Sequence, residues 1–151
     1  MLSAILGLPI KKVHYRLKRN RATNLYIFKQ LLNLFEIEEE FAVIEPVRDL
    51  VHQIKVIYPK EKRDALYNAL IHEYGNPTHY YYLNEYTGKK ADGKQIKTIT
   101  LHSYKDTEID HMKNNVWRFE KYAVNLQDLV TMGSPEEEYT YLTYTKIIKS
   151  H

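Results

Sequence analysis

The first part of the chain carries a dense set of basic side chains. Between Met1 and Phe35 there are seven lysines and arginines and no acidic residue. The seven are Lys11, Lys12, Arg16, Lys18, Arg19, Arg21 and Lys29. Because the whole chain has a formal net charge of only +3, the remainder is net acidic. A local excess of positive charge attracts polyanions such as nucleic acid or anionic lipid. The pattern therefore predicts phosphate binding, with a solvated basic surface as the alternative.

The residue types that perform covalent or metal chemistry are missing or are not arranged for it. The chain has no cysteine, and no serine stands in the G-x-S-x-G pattern of an acyl-transfer nucleophile. The seven histidines are dispersed, and no two of them have the i, i+4 spacing of a helical zinc site. A glycine-rich phosphate loop is also missing from the sequence. We therefore expect a protein that is not an enzyme and uses neither a metal nor a cofactor.

Tyrosine is the other residue type in excess, with fourteen in the chain. Alternate residues of a strand share a face, so Tyr80 and Tyr82 are expected on one face of their strand, and Tyr139 and Tyr141 on one face of theirs. Tyrosine is enriched at protein interfaces. The alternative is sheet packing with hydroxyls that reach water. The candidate protein-interface residues are Tyr80, Tyr82, Tyr86, Tyr139 and Tyr141.

The elements that position these residues fall into two parts. Residues 2–41 are expected to be helical, because Leu25, Phe28, Leu31 and Phe35 recur at spacings of three and four. A change of composition near 42–46 ends this part. We therefore predict a helical segment over 1–41 and an α+β domain over 47–151.

The second part is expected to hold one helix and several strands. Pro59 and Gly75 bracket a helical stripe that includes Leu66 and Leu70, in the favoured order of proline at the start and glycine past the end. Alternating apolar residues predict strands over 50–58, 79–86, 94–104, 116–126 and 139–148, the fourth with a bulge. The predicted fold class is α+β, with an antiparallel sheet of four to five strands and one helix packed on it.

The first segment resembles the repressor-like helix-turn-helix family over residues 2–41. The stretch "LSAIL" precedes Gly7, Leu8 follows it, Val13 comes six residues later and Leu17 closes the helix, as in that family's turn and recognition helix. The stretch "NLYIFKQLLNLFEI" has the spacing of the family's following helix. The family's first helix has no counterpart.

The resemblance implies how the basic residues meet DNA. A helix over 9–19 would lie in the major groove, with its amino-terminal residues over base edges. Lys11, Lys12 and Tyr15 would then contact bases or phosphates. The remaining candidates would bind phosphates, and these are Arg16, Lys18, Arg19 and Arg21. Proteins of this type bind as symmetric dimers, so a homodimer is implied.

The function expected from these features is that of a small DNA-binding protein, a bacterial or phage-type transcriptional regulator. Its α+β body would serve dimerisation or partner recognition. The alternative is a non-enzymatic protein-binding module, such as an inhibitor or immunity-type protein, that uses a tyrosine-rich sheet surface. No stretch approaches the roughly 20 apolar residues that span a bilayer. We therefore expect a cytoplasmic protein with no membrane partner.

Overall fold

One antiparallel sheet dominates the structure, which is a computed structural model. It describes residues 2–89, 91, 95–103, 113–130 and 138–148, with side chains described over 2–79, 91, 114–127 and 139–148. Within these ranges there are nine strands. They are β1 (Leu17–Asn20), β2 (Leu25–Phe28), β3 (Phe41–Val47), β4 (Leu50–Pro59), β5 (His79–Lys89), β6 (Gln95–Ser103), β7 (Lys113–Arg118), β8 (Tyr122–Val130) and β9 (Glu138–Lys146).

Helical structure is sparse in the described part. The α-helix, α1, spans Arg63–Tyr74 and follows a 3₁₀ turn at Lys60–Lys62. Further 3₁₀ turns lie at Leu2–Ile5, Ile10–Lys12 and Leu34–Glu36. No helix in the described ranges is long and apolar enough to cross a membrane.

The strand order is β1-β2-β3-β4-β9-β8-β7-β5-β6. Most strands pair with a neighbour along the chain, but β4 does not pair with β5 and β6 does not pair with β7. The last strand, β9, is inserted between β4 and β8. Insertion of β9 joins the amino-terminal four strands to the later ones, because its two edges pair with both groups. Strands β1 and β6 are left at the two edges of the sheet.

The core lies on one face of the sheet, which we call the covered face. One cross-strand row on this face runs through Ile44, Ile54, Tyr144, Val124 and Trp117, and all five side chains are buried. Helix α1 packs on this face through Leu66 and Leu70, which are both fully buried in the core. The two leucines are four residues apart and therefore lie on the same side of the helix. The amino-terminal 3₁₀ turn adds Leu2 to the same cluster.

Helix α1 is attached to β7 near both of its ends. Near its start, Arg63 Nη2 donates a hydrogen bond to Asn115 Oδ1 at 2.7 Å. Past its end, Trp117 Nε1 donates to the carbonyl oxygen of Gly75 at 2.9 Å. Gly75 has φ +80, a conformation that favours glycine, and its N–H bonds the carbonyl of Ile71 at 2.8 Å. The expected glycine end of this helix is therefore present.

The opposite face, which we call the open face, has no helix packed on it in the described part of the chain. Its central row runs through Lys18, Ile27, Val43, Lys55 and Thr143. The three middle members are half-buried and Lys18 is exposed, whereas Thr143 is buried. The sheet therefore buries one side far better than the other.

The helical segment predicted for residues 2–41 is wrong. These residues contain 3₁₀ turns, β1 and β2, and the boundary expected near 42–46 lies inside β3. Short apolar runs fit a strand as well as a helix, and the run at Leu25–Phe28 pairs with both neighbours as β2. Asn24 and Asn33 adopt positive φ, which interrupts any helix at both positions.

The helix-turn-helix geometry implied by the resemblance is therefore also wrong. Gly7 has φ +85, but its N–H bonds the carbonyl of Val51 at 2.7 Å and ties the chain to β4 instead of hinging two helices. Residues 9–19, expected as the recognition helix, hold a 3₁₀ turn and most of β1.

The predicted four to five strands are too few. Strands β1 to β3 account for most of the difference, since the sequence pattern predicts a helical segment and its boundary for these residues. The remaining difference comes from residues 116–126, where the apolar pattern changes phase. A turn separates β7 from β8 there, with the N–H of Phe119 bonded to the carbonyl of Tyr122 at 2.9 Å, in place of the expected bulge.

The β3–β4 turn gives a first prediction about stability. Arg48 (φ 52) and Asp49 (φ 61) form a two-residue turn of the type that favours Asn-Gly. We expect Asp49→Gly to raise the free energy of unfolding by about 1 kcal/mol, because glycine adopts positive φ without steric cost. Urea denaturation measures this. Ala22→Gly, in a turn position without positive φ, is the control and should destabilise; stabilisation by both changes would contradict the argument.

Candidate nucleic-acid interface

A hairpin at the edge of the sheet carries most of the amino-terminal basic residues. Strands β1 and β2 pair Leu17 with Phe28 and Arg19 with Tyr26. The hairpin is anchored on the core side, where Phe28 is 6% exposed and the ring of Tyr15 meets it edge-on at 5.3 Å. We call residues 16–29 the basic hairpin. It contains five cationic residues and no carboxylate.

The hairpin turn is stabilised by its own polar side chains. Asn20 Oδ1 accepts a hydrogen bond from the N–H of Ala22 at 3.1 Å, and Asn24 has φ 58. Asparagine accepts this backbone conformation more readily than most residues. Arg19 Nη2 donates to Asn24 Oδ1 at 3.0 Å, so one guanidinium is held beside the turn. The local sequence therefore fixes where the basic side chains emerge.

All five cationic side chains of the basic hairpin are exposed. Lys18 and Arg19 are consecutive strand residues and point to opposite faces, while Arg21 lies in the turn. Arg16 and Lys29 meet at the open end, where the N–H of Lys29 bonds the carbonyl of Arg16 at 2.9 Å. The charge therefore surrounds the hairpin instead of following one stripe.

Lys11 and Lys12 lie on the neighbouring 3₁₀ turn and are also exposed. The N–H of Ile10 bonds the carbonyl of Asp49 at 2.9 Å, which fixes this turn at the β3–β4 end of the sheet. Lys11, Tyr26 and Asp49 line one cleft of about 390 Å³. Since Tyr26 is paired with Arg19, the cleft connects the 3₁₀ turn to the basic hairpin.

The structure therefore brings the basic candidates to one edge of the molecule, whereas Tyr15 is a half-buried packing residue. It also places one further cationic residue, Arg48, near them, and the sequence analysis does not single this residue out. Arg48 is exposed in the β3–β4 turn, at the same end of the sheet as the β1–β2 turn. No local pattern marks it, because only the pairing of β2 with β3 makes the two turns neighbours.

The tyrosine candidates are only partly described. Tyr139 and Tyr141 are half-buried on the open face, and the Nζ of Lys55 lies 5.3 Å from the ring centroid of Tyr141. The cross-strand row through Tyr141 continues to Gln127, Asn114 and Tyr81. The side chains of the other three candidates lie outside the described residues, and these are Tyr80, Tyr82 and Tyr86.

A second group of tyrosines, on the covered face, is deeply buried. Burial raises the pKa of Tyr144 and of Tyr58 far above the usual range, since the ionised phenolate is poorly solvated there. The nearby carboxylate of Glu39 raises the pKa of Tyr58 further. Glu39 itself accepts hydrogen bonds from the N–H groups of Leu32 at 2.6 Å and Asn33 at 3.0 Å. These hydroxyls stay protonated at neutral pH, so the group is a packing cluster.

Within the described ranges, no group of histidine, aspartate and glutamate side chains is arranged to hold a metal ion. Comparison of the chain with protein-family models, with curated protein sequences and with solved structures finds no match in any of the three.

Proposed function

We propose that this protein binds double-stranded DNA through the basic hairpin. The observation that carries the proposal is a two-stranded edge ribbon with five exposed cations and no carboxylate in its sequence. The major groove of B-form DNA admits either an α-helix or a two-stranded β-ribbon, so the loss of the expected recognition helix does not remove the means of binding. The rest of the sheet then presents the ribbon and takes no part in chemistry.

The placement of the cations favours phosphate contact over base recognition. Lys18 and Arg19 are exposed on opposite faces of the ribbon and Arg21 is exposed in its turn, as is needed to reach phosphates on both sides of a groove. Such contacts provide affinity and orientation but carry no sequence information directly. Arg19, whose guanidinium is held by Asn24, is the candidate for a fixed contact. Lys11 and Lys12, both exposed on the neighbouring 3₁₀ turn, extend the basic surface beside the ribbon.

In this proposal the protein is a cytoplasmic transcriptional regulator of bacterial or phage type. Two copies would act together, because paired half-sites double the number of phosphate contacts and fix the spacing of the two ribbons on the duplex. No cofactor takes part.

The test is a fluorescence-anisotropy titration of a labelled duplex of roughly two helical turns. Binding that depends on about five phosphate contacts should weaken by about 500-fold between about 50 mM and about 200 mM salt. Stoichiometry at saturation tests the dimer, with two chains per duplex expected. Absence of binding at the lower salt concentration would refute the proposal.

A second candidate function is favoured by the open face. Phe41 is 48% exposed there, and Tyr139 and Tyr141 are half-buried beside it, an aromatic surface typical of protein interfaces. On this view the protein is a non-enzymatic binding module, and Tyr139→Ser with Tyr141→Ser abolishes capture of a partner while charge changes in the basic hairpin do not. If the protein binds DNA instead, charge changes in the basic hairpin should abolish binding and the two tyrosine changes should not.

A further inference from the structure

A groove beside the β3–β4 turn is lined by both aliphatic and polar side chains. Its volume is about 460 Å³, within the range of small-molecule sites. The aliphatic lining comes from the buried Val51 and from Val47, Leu50 and Ile148, which are 44%, 40% and 69% exposed. The polar lining comes from Arg48, His52 and Lys146. Among the described residues no carboxylate lines it.

The three polar residues come from separate elements that the sheet brings together. Arg48 is in the β3–β4 turn, His52 is on β4 and Lys146 ends β9, which is paired with β4. The Lys146 side chain crosses the backbone at Gly7, where a Cβ would lie 2.9 Å from its Nζ. Because Gly7 has no side chain, the Lys146 side chain has room to lie against the backbone there.

We propose that this groove binds a linear alkyl carboxylate, a fatty-acid-like anion that is distinct from nucleic acid. Arg48 and Lys146 would hold the carboxylate through charge-assisted hydrogen bonds, since both are cationic at neutral pH. The alkyl chain would cover Leu50, Val47 and Ile148 and remove their surfaces from water. A phosphodiester backbone could bind the two cations, but it has no alkyl chain to cover the aliphatic side chains of the groove. The described lining offers a nucleobase a single aromatic ring for stacking, the imidazole of His52.

The experiment is isothermal titration calorimetry of the full chain with sodium decanoate below its micelle concentration. Decanoate is expected to bind at one site, and decanol at least tenfold more weakly, because the alcohol has no charge for Arg48 and Lys146. The double variant Arg48→Gln with Lys146→Gln should weaken decanoate binding at least tenfold and leave decanol binding unchanged. Leu50→Asn should weaken both.

The matched control is Lys18→Gln with Arg21→Gln, which removes the same charge from the basic hairpin and should leave decanoate binding unchanged. Thermal melts verify that each variant is folded. The inference is overturned if decanoate does not bind, if decanol binds equally well, or if the control weakens binding as much as the groove variant. Displacement of decanoate by a DNA duplex would also overturn it and assign the groove to the DNA interface. Failure of the chain to bind DNA would refute the proposed function and would not bear on the groove.

Discussion

Replacing Lys18, Arg19 and Arg21 together with glutamate should weaken binding of duplex DNA by at least about 100-fold at low salt. Three phosphate-binding cations are lost and three phosphate-repelling carboxylates take their place. All three side chains are exposed, and the hairpin is anchored by Leu17 and Phe28, so the fold should survive the change. Anisotropy titration measures the affinity, and the salt dependence should become shallower by the number of phosphate contacts removed.

The control for this prediction makes the same change in net charge elsewhere. Lys62, Arg118 and Lys121 lie at the start of α1 and around the β7–β8 turn, away from the edge strand β1. Replacing these three with glutamate should alter the affinity much less than the hairpin variant does. Equal losses in the two variants would show that only the total charge matters, and the basic hairpin would then no longer be the binding site.

Trp117→Ala should lower the free energy of unfolding by about 4 kcal/mol, the range for deletion of a large buried aromatic side chain. Trp117 is 1% exposed, lies in the central row of the covered face and contacts Tyr67 of α1 at 6.3 Å between ring centroids. The substitution removes packing and also the hydrogen bond to Gly75, which attaches the end of α1 to β7. Because whole domains have about 5–15 kcal/mol of stability, this loss is a large share.

Two further variants separate the effect of the indole hydrogen bond from that of packing, and a buried aromatic position from an exposed one. Trp117→Phe keeps an aromatic ring but loses the indole N–H, so its cost should be clearly smaller than that of the alanine change. Phe41→Ala deletes an aromatic side chain that is 48% exposed, and should cost about 1 kcal/mol or less. Urea denaturation followed by circular dichroism measures all three. A cost for Phe41→Ala as large as that for Trp117→Ala would contradict the assignment of the core to the covered face.

Helix α1 was predictable because its signals are local. Pro59 and Gly75 stand at its two ends, and the spacing of Leu66 and Leu70 matches one helical face. Each of these signals acts within a few residues of chain, so no knowledge of distant partners is needed. A 3₁₀ turn at Lys60–Lys62 follows Pro59, so the α-helix begins at Arg63.

The amino-terminal strands were not predictable in the same way. Strand β1 has four residues, three of them exposed, and becomes a strand because β2 pairs with it. Phe35 and Glu36 adopt positive φ, which neither residue type favours, so the sequence contains no sign of that bend. Apolar spacings of three and four then suggest a helix where the chain forms turns and a hairpin.

The acid-free charge of the amino-terminal part and helix α1 were both predictable from local sequence, because charge and helical periodicity are properties of neighbouring residues. Strand pairing, by contrast, places the charge around an edge hairpin and Arg48 at the same end of the sheet. Strand pairing also brings Lys146 to a groove beside β4. The physical reason is that strands are stabilised by partners far along the chain, and β9 pairs with β4 across more than half of the sequence.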